Sequence, residues 1–147
     1  MNDIQFYFIT YSDYQDHINN LVTKINNFLL EHDNIQITKI FAVLRGGLPI
    51  GTHLSNYLNI DLITSHEDYL KEDPKNILVV DDLCDSGKTF EKYKKSILAC
   101  LFIKPRRIIT PDIYIRELAN NIWVVFPWEQ FEKPKINKDY MFEEKII

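Results

Sequence analysis

Apolar residues near the start of the chain recur at helical spacing: Ile18, Leu21, Val22, Ile25, Phe28 and Leu29 fall three or four positions apart. The Ser12-Asp13-Tyr14-Gln15 run ahead of them has the form of a capping box, so a first helix packed on a sheet is expected. Further on, short unbroken apolar runs replace that period. Ile77 to Val80 shows no alternation, as in a parallel strand covered on both faces, and Ile40 to Leu44 has the same character. The pattern predicts strands at 40–44, about 60–64, 77–81 and near 107–110, with helices at about 48–58 and 87–96. Ser96 to Ile103 fits helix or strand equally by periodicity. Helices alternating with strands, without repeats or low-complexity linkers, predict an α/β protein with a mostly parallel sheet.

Composition narrows the class. A chain of 147 residues with 46% hydrophobic content can bury one core and is short for two, so a single domain over 1–147 is expected. A net charge of −4 and the lack of an extended basic stripe argue against a nucleic-acid surface. No apolar run approaches the ~18 residues of a membrane helix. Met1-Asn2-Asp3-Ile4 lacks the basic and apolar regions of a signal peptide, so a cytoplasmic protein is expected. Cys84 and Cys100 have no CxxC spacing and are expected to be reduced and non-catalytic. His17, His32, His53 and His66 lack metal-ligand spacing.

The chemistry concentrates after the 77–80 run. There Asp81 and Asp82 precede Leu83-Cys84 and then Asp85-Ser86-Gly87-Lys88-Thr89. Parallel strands deliver ligand-binding loops at their carboxyl ends. A turn at Gly87 would aim successive backbone N–H groups at an anion, with hydroxyls from Ser86 and Thr89. A nucleoside-triphosphate P-loop also ends in Gly-Lys-Thr, but it needs a glycine where this chain has Asp82. Paired carboxylates would repel a polyphosphate, yet they suit two neighbouring hydroxyls and a divalent cation. A ribose 5-phosphate satisfies both halves. The plain alternative is a solvated turn at a strand end.

A second strand enters a similar turn at Arg45-Gly46-Gly47, and all four glycines of the chain lie in these two loops. Paired glycines let backbone amides approach an anion, and the Arg45 guanidinium matches phosphate oxygens. Alone, this segment reads as an ordinary strand-to-helix connection.

Together the two motifs resemble the type I phosphoribosyltransferases, whose signature is a hydrophobic strand, two acids, a short spacer and Asp-Ser/Thr-Gly-x-Thr. The resemblance implies that family's fold, a mostly parallel sheet flanked by helices with a small C-terminal hood, here mainly about 111–147. It implies that Asp81 and Asp82 lie by the ribose hydroxyls of phosphoribosyl pyrophosphate (PRPP) and bind Mg2+. It further places the 5-phosphate on Asp85, Ser86, Gly87, Lys88 and Thr89, with Asp85 also the general base. Arg45, Gly46 and Gly47 would hold pyrophosphate, with a cis peptide between Leu44 and Arg45.

The remaining segments narrow the resemblance to small bacterial 6-oxopurine enzymes of the xanthine-guanine type. Leu101 to Pro105 looks like that group's strand ending in Lys-Pro, which makes the second half of 96–103 a strand, near 99–103, and gives Lys104 the purine 6-oxygen. Pro111 to Tyr114 and Asn121 to Glu129 resemble its closing segments. By that likeness Trp123 stacks on the base, Val124 reads it through backbone groups, and Glu129 stands where the family has a metal-binding Asp. Without the resemblance, Lys104-Pro105-Arg106-Arg107 reads as a solvated basic edge and Trp123 and Trp128 as core residues.

The implied activity is Mg2+-dependent transfer of a phosphoribosyl group to xanthine, guanine or hypoxanthine, in a dimer or tetramer. The chain departs from the family in its segment from Thr64 to Asn76, which is short where the family has a long mobile loop that closes over the reaction. That departure keeps two alternatives open: a PRPP-binding or nucleotide-binding regulator with weak or no turnover, and a phosphoribosyltransferase for a non-purine base such as nicotinate or a pyrimidine.

Overall fold

The computed structural model describes residues 3–129 and 142–143; the tail expected from Lys133 to Ile147 otherwise lies outside the described residues. Its central sheet has four parallel strands in the order β3-β2-β4-β6, formed by β2 (Lys39–Ala42), β3 (Asp61–Ile63), β4 (Ile77–Val80) and β6 (Ile97–Ala99). Strand β4 explains the layering. All four of its residues are fully buried. Leu78 and Val80 enter a core shared with α1 (Tyr11–Glu31) and α2 (Gly47–Leu58), while Ile77 and Val79 enter a second core on the opposite face. An unbroken apolar strand is thus the consequence of two covered faces.

Helix α1 carries Tyr14, Ile18, Leu21 and Ile25 on its buried face. It begins earlier than the Ser12 pattern suggests. Thr10 is the cap: its hydroxyl accepts from the Asp13 N–H at 3.0 Å, and Asp13 Oδ2 accepts from the Thr10 N–H at 3.2 Å. Aspartate replaces the usual Glu or Gln of the box, which hid the register.

Two small parallel sheets flank the centre. One has the order β10-β1-β9, with β1 (Ile4–Phe8), β9 (Ile122–Val125) and β10 (Phe142–Glu143). Strand β1 has no counterpart in the sequence reading. It pairs with the expected hood from Gln5↔Ile122 to Phe8↔Val125, so the two ends of the chain share one sheet. The other sheet is β5 (Leu83–Cys84), β7 (Phe102–Ile103) and β8 (Arg116–Glu117), in the order β5-β7-β8.

Three further boundaries differ. The helix expected at 87–96 is only α4, Lys88–Glu91. Phe90 and Tyr93 face the core, but Ile97, the next apolar residue at that spacing, enters the sheet in β6. The strand expected near 99–103 is two strands in different sheets, joined through fully buried Cys100 and Leu101. The segment near 107–110, where a strand is expected, is irregular backbone that follows a turn at 105–106. Pro105 offers no ladder N–H, and the Arg107 guanidinium ties back to the Lys104 carbonyl, Thr110 and Glu117.

The segment from Thr64 to Asn76 is folded. Ser65 caps α3 (His66–Leu70) by accepting from the Asp68 N–H at 3.1 Å, and a 3-10 turn follows at Pro74–Asn76. Tyr69 is buried among Phe41 and Tyr93, and its hydroxyl meets Ser96 Oγ at 2.7 Å. His66 Nδ1 lies 3.2 Å from the Tyr93 hydroxyl. These contacts fasten α3 to the body.

Candidate active site

Because β2 and β4 are parallel neighbours, the loops that follow them emerge side by side at the carboxyl edge of the sheet. The Leu44–Arg45 peptide between β2 and α2 is cis, as expected. Gly46 then passes against the Asp82 carboxylate and Gly47 against the Val80 carbonyl, so closely that a Cβ at either position would overlap them. For Gly47 the obstacle is backbone. Arg45 itself is exposed and makes no ion pair among the described residues.

Asp81 and Asp82 sit where β4 ends. The Asp82 N–H donates to Asp81 Oδ1 at 2.8 Å, and the Leu83 N–H donates to Asp82 Oδ1 at 2.7 Å. Burial raises the pKa of both carboxyls, that of Asp81 to about 8, where the adjacent Asp82 charge pushes further in the same direction. Negative charge here is held at a cost that a cation would relieve.

Downstream, the chain wraps a recess of about 120 Å³ lined by Asp81 and the run from Leu83 to Phe90. Gly87 adopts φ of 81°, the left-handed conformation that glycine tolerates and other residues seldom do. Its α-carbon faces Ile109, where a side chain would collide. Ser86 Oγ accepts from the Lys88 N–H at 3.3 Å, which leaves its own proton free for an anion. Lys88 and Thr89 are exposed at the rim. The expected phosphate-binding residues Asp85, Ser86, Gly87, Lys88 and Thr89 thus share one recess.

Asp85 stands at the mouth of the recess. Its carboxylate is gripped by Arg106, Nε to Oδ1 at 2.5 Å and a terminal nitrogen to Oδ2 at 2.6 Å. Sequence reading had left Arg106 in an undistinguished basic cluster. No local signal singles it out, because its partner Asp85 lies 21 positions away.

The structure buries Lys104, and its ammonium donates to the carbonyls of Ala119 at 2.8 Å, Asn120 at 3.5 Å and Ile122. Burial lowers its pKa from the ordinary lysine value. The ammonium is thus bonded to the carbonyl of the residue preceding Trp123; the Trp123 side chain is 57% exposed, whereas Val124 is buried. At the end of that segment Glu129 folds back, its Oε2 accepting from the Phe126 N–H at 3.4 Å, and burial raises its pKa, with the Asp82 charge contributing.

Among the described residues no trio of His, Cys, Asp and Glu is arranged to hold a metal. Mg2+ commonly takes only one or two protein carboxylates and fills its shell with water and substrate phosphates, a demand that Asp81 and Asp82 fit. Glu129 does not complete a trio with them. No helix among the described residues is long and apolar enough to cross a membrane.

No family model matches the chain. Individual proteins do. The xanthine-guanine phosphoribosyltransferase of Gluconobacter oxydans is 34% identical over 113 residues, 61% of this chain and 67% of that protein. The one from Cereibacter sphaeroides is 35% identical over 133 residues, 73% and 80% of the two chains. Among solved structures, a purine phosphoribosyltransferase from Pyrococcus horikoshii is similar with a TM-score of 0.69 and 28% identity, over 90% of this chain and 99% of that one. A hypothetical protein from Neisseria gonorrhoeae, solved with bound ppGpp, shares the fold at a TM-score of 0.70 and 21% identity, over 90% and 93% of the chains.

Proposed function

We propose that this chain, which belongs to the type I phosphoribosyltransferases beside the small bacterial xanthine-guanine enzymes, transfers the 5-phosphoribosyl group of PRPP to a 6-oxopurine and releases pyrophosphate. The observation that carries the reading is the juxtaposition of three features on two neighbouring loops. An Arg-Gly-Gly turn, a half-buried carboxylate pair and a glycine-centred anion cradle meet at one sheet edge.

Each part has a task in that reaction. The cradle of Asp85 to Thr89 holds the 5-phosphate through backbone amides and the Ser86 and Thr89 hydroxyls. Arg45, Gly46 and Gly47 receive the pyrophosphate. Loss of pyrophosphate builds positive charge on the ribose, which the fixed carboxylates of Asp81 and Asp82 stabilise while accepting from its hydroxyls. Magnesium, when bound, would be held by Asp81 and Asp82 and would offset charge on the leaving group. Asp85 accepts the proton that the attacking purine nitrogen gives up. Trp123 offers an exposed face for the base, and the backbone of Val124 its edge contacts.

Lys104 supplies the contact that selects a 6-oxo over a 6-amino group, because an ammonium donates and cannot accept. Its three carbonyl partners fix the ammonium at that point, and the purine oxygen shares or replaces one of them. Initial rates with hypoxanthine and adenine test this role. The unmodified protein should prefer hypoxanthine by about 10²-fold or more. Lys104→Met should erase most of that preference and also cost about 1.5–3 kcal/mol of stability, because the carbonyls lose a charged donor. Equal use of both bases by the unmodified protein would contradict a 6-oxopurine site.

A second reading, binding of PRPP or a nucleotide without turnover, is favoured by one observation. The segment that would close over the site is α3, fastened by Tyr69 and His66 to the body. Intact Asp85, Lys104 and Trp123 favour the enzyme.

A further inference from the structure

We propose that Arg106 is a positioning residue for the transfer, holding the Asp85 carboxylate in the orientation from which it takes the purine proton. The inference rests on the reading of Asp85 as proton acceptor. In that step the purine nitrogen bonds to the anomeric carbon while the bond to pyrophosphate breaks. The leaving oxygen carries off the electron pair, and the purine N–H proton passes to an Asp85 oxygen.

Three features place Arg106 in this role. The fork contacts both carboxylate oxygens, at 2.5 and 2.6 Å, which fixes the plane of the group as well as its position. Each oxygen keeps a second lone pair for the proton. Among the described residues, moreover, the Asp85 carboxylate has no other hydrogen-bond partner, unlike Asp81 and Asp82, which are held by backbone amides. Without Arg106 its side chain would turn freely.

The third feature is the anchorage of Arg106 itself. The Lys104 N–H donates to the Cys84 carbonyl at 3.0 Å, and the Ile108 N–H donates to the Ser86 carbonyl at 2.8 Å. Cys84 Sγ lies 3.7 Å from the Ile109 carbonyl. The 104–109 loop is therefore clipped to the phosphate loop on both sides of Arg106, and the guanidinium is aimed by backbone on either flank. With side-chain exposures of 56% and 43%, the pair is too solvated to be explained as a stabilising ion pair. Its geometry matters for turnover.

The test is a double-mutant cycle on kcat and on KM for PRPP with Arg106→Ala, Arg106→Lys, Asp85→Asn and the Ala/Asn double variant. Arg106→Ala should lower kcat by about tenfold to 10²-fold, with KM for PRPP and the melting temperature nearly unchanged. Arg106→Lys should recover part of the loss. In the Asp85→Asn background, Arg106→Ala should change nothing further, since no acceptor is left to orient. An unaltered kcat in Arg106→Ala, a loss confined to KM, or full losses that multiply in the double variant would each overturn the proposal while leaving Asp85 in its role. Wild-type turnover in Asp85→Asn would instead remove the reading beneath it.

Discussion

Asp85→Asn is expected to lower turnover by about 10²–10⁴-fold while leaving the affinity for PRPP within about threefold. The reasoning is geometric. Asp85 opens the phosphate loop, but the cradle itself is made by the Gly87 turn, the Ser86 and Thr89 hydroxyls and the amides of the short α4. Asparagine keeps the size of the side chain and one acceptor for the Arg106 fork, so the loop keeps its shape. What it cannot do is accept a proton. Single-turnover rates measured beside equilibrium PRPP binding separate the two effects. Equal losses in both would make Asp85 a loop-forming residue and no base.

The second large effect concerns Asp81 and Asp82, and it runs in opposite directions for activity and stability. Changing both to asparagine should reduce the rate of transfer by about 10²–10³-fold, as removal of groups aimed at developing charge does. The free protein should at the same time become more stable at neutral and alkaline pH. Both carboxyls are held above their ordinary pKa by burial, Asp81 additionally by its neighbour. A carboxyl whose folded-state pKa exceeds its unfolded value contributes stability that is complete below the unfolded value and disappears as pH rises through the folded one. The unmodified protein should therefore lose melting temperature as pH climbs from the carboxylate range through neutrality. The double variant, which keeps the Oδ1 acceptors for the Asp82 and Leu83 amides, should lose less. Each kcal/mol regained appears as about 2–4 °C. Magnesium with PRPP should raise the melting temperature of the unmodified protein and not that of the variant. Thermal melts across pH, with and without PRPP and magnesium, check all of this. A variant that melts lower than its parent at pH 8 would contradict the electrostatic argument.

Much of this site was legible because its chemistry is written in consecutive residues. Asp81 to Thr89 is one strand end and one turn, so residue types and order suffice to recognise it, and Arg45-Gly46-Gly47 is equally local. The strands β2 and β4 declared themselves through unbroken apolar runs, which only a doubly covered strand requires. Arg106 was not legible, since its role depends on a fork reaching across 21 positions to Asp85. Lys104 stood out only through the family resemblance, and its burial was not legible, since its carbonyl partners lie 15 to 18 positions away. Strand β1 was missed because it is stabilised by pairing with β9, more than a hundred residues downstream. The end of α4 was overextended because Ile97 continues a helical period yet is claimed by the sheet. The short segment from Thr64 to Asn76 announced its length, but not that Tyr69 and His66 would fasten it.

That fastening makes one measurement decisive for the central claim, that this site turns PRPP over as well as holding it. Pyrophosphate release from PRPP is followed in magnesium, with xanthine, guanine, hypoxanthine, adenine, nicotinate and uracil each supplied in turn. Release that depends on a 6-oxopurine and is absent with the other bases is the expected result. PRPP binding without release in the presence of any base would contradict it, and would make α3 the mark of a site that binds and does not react.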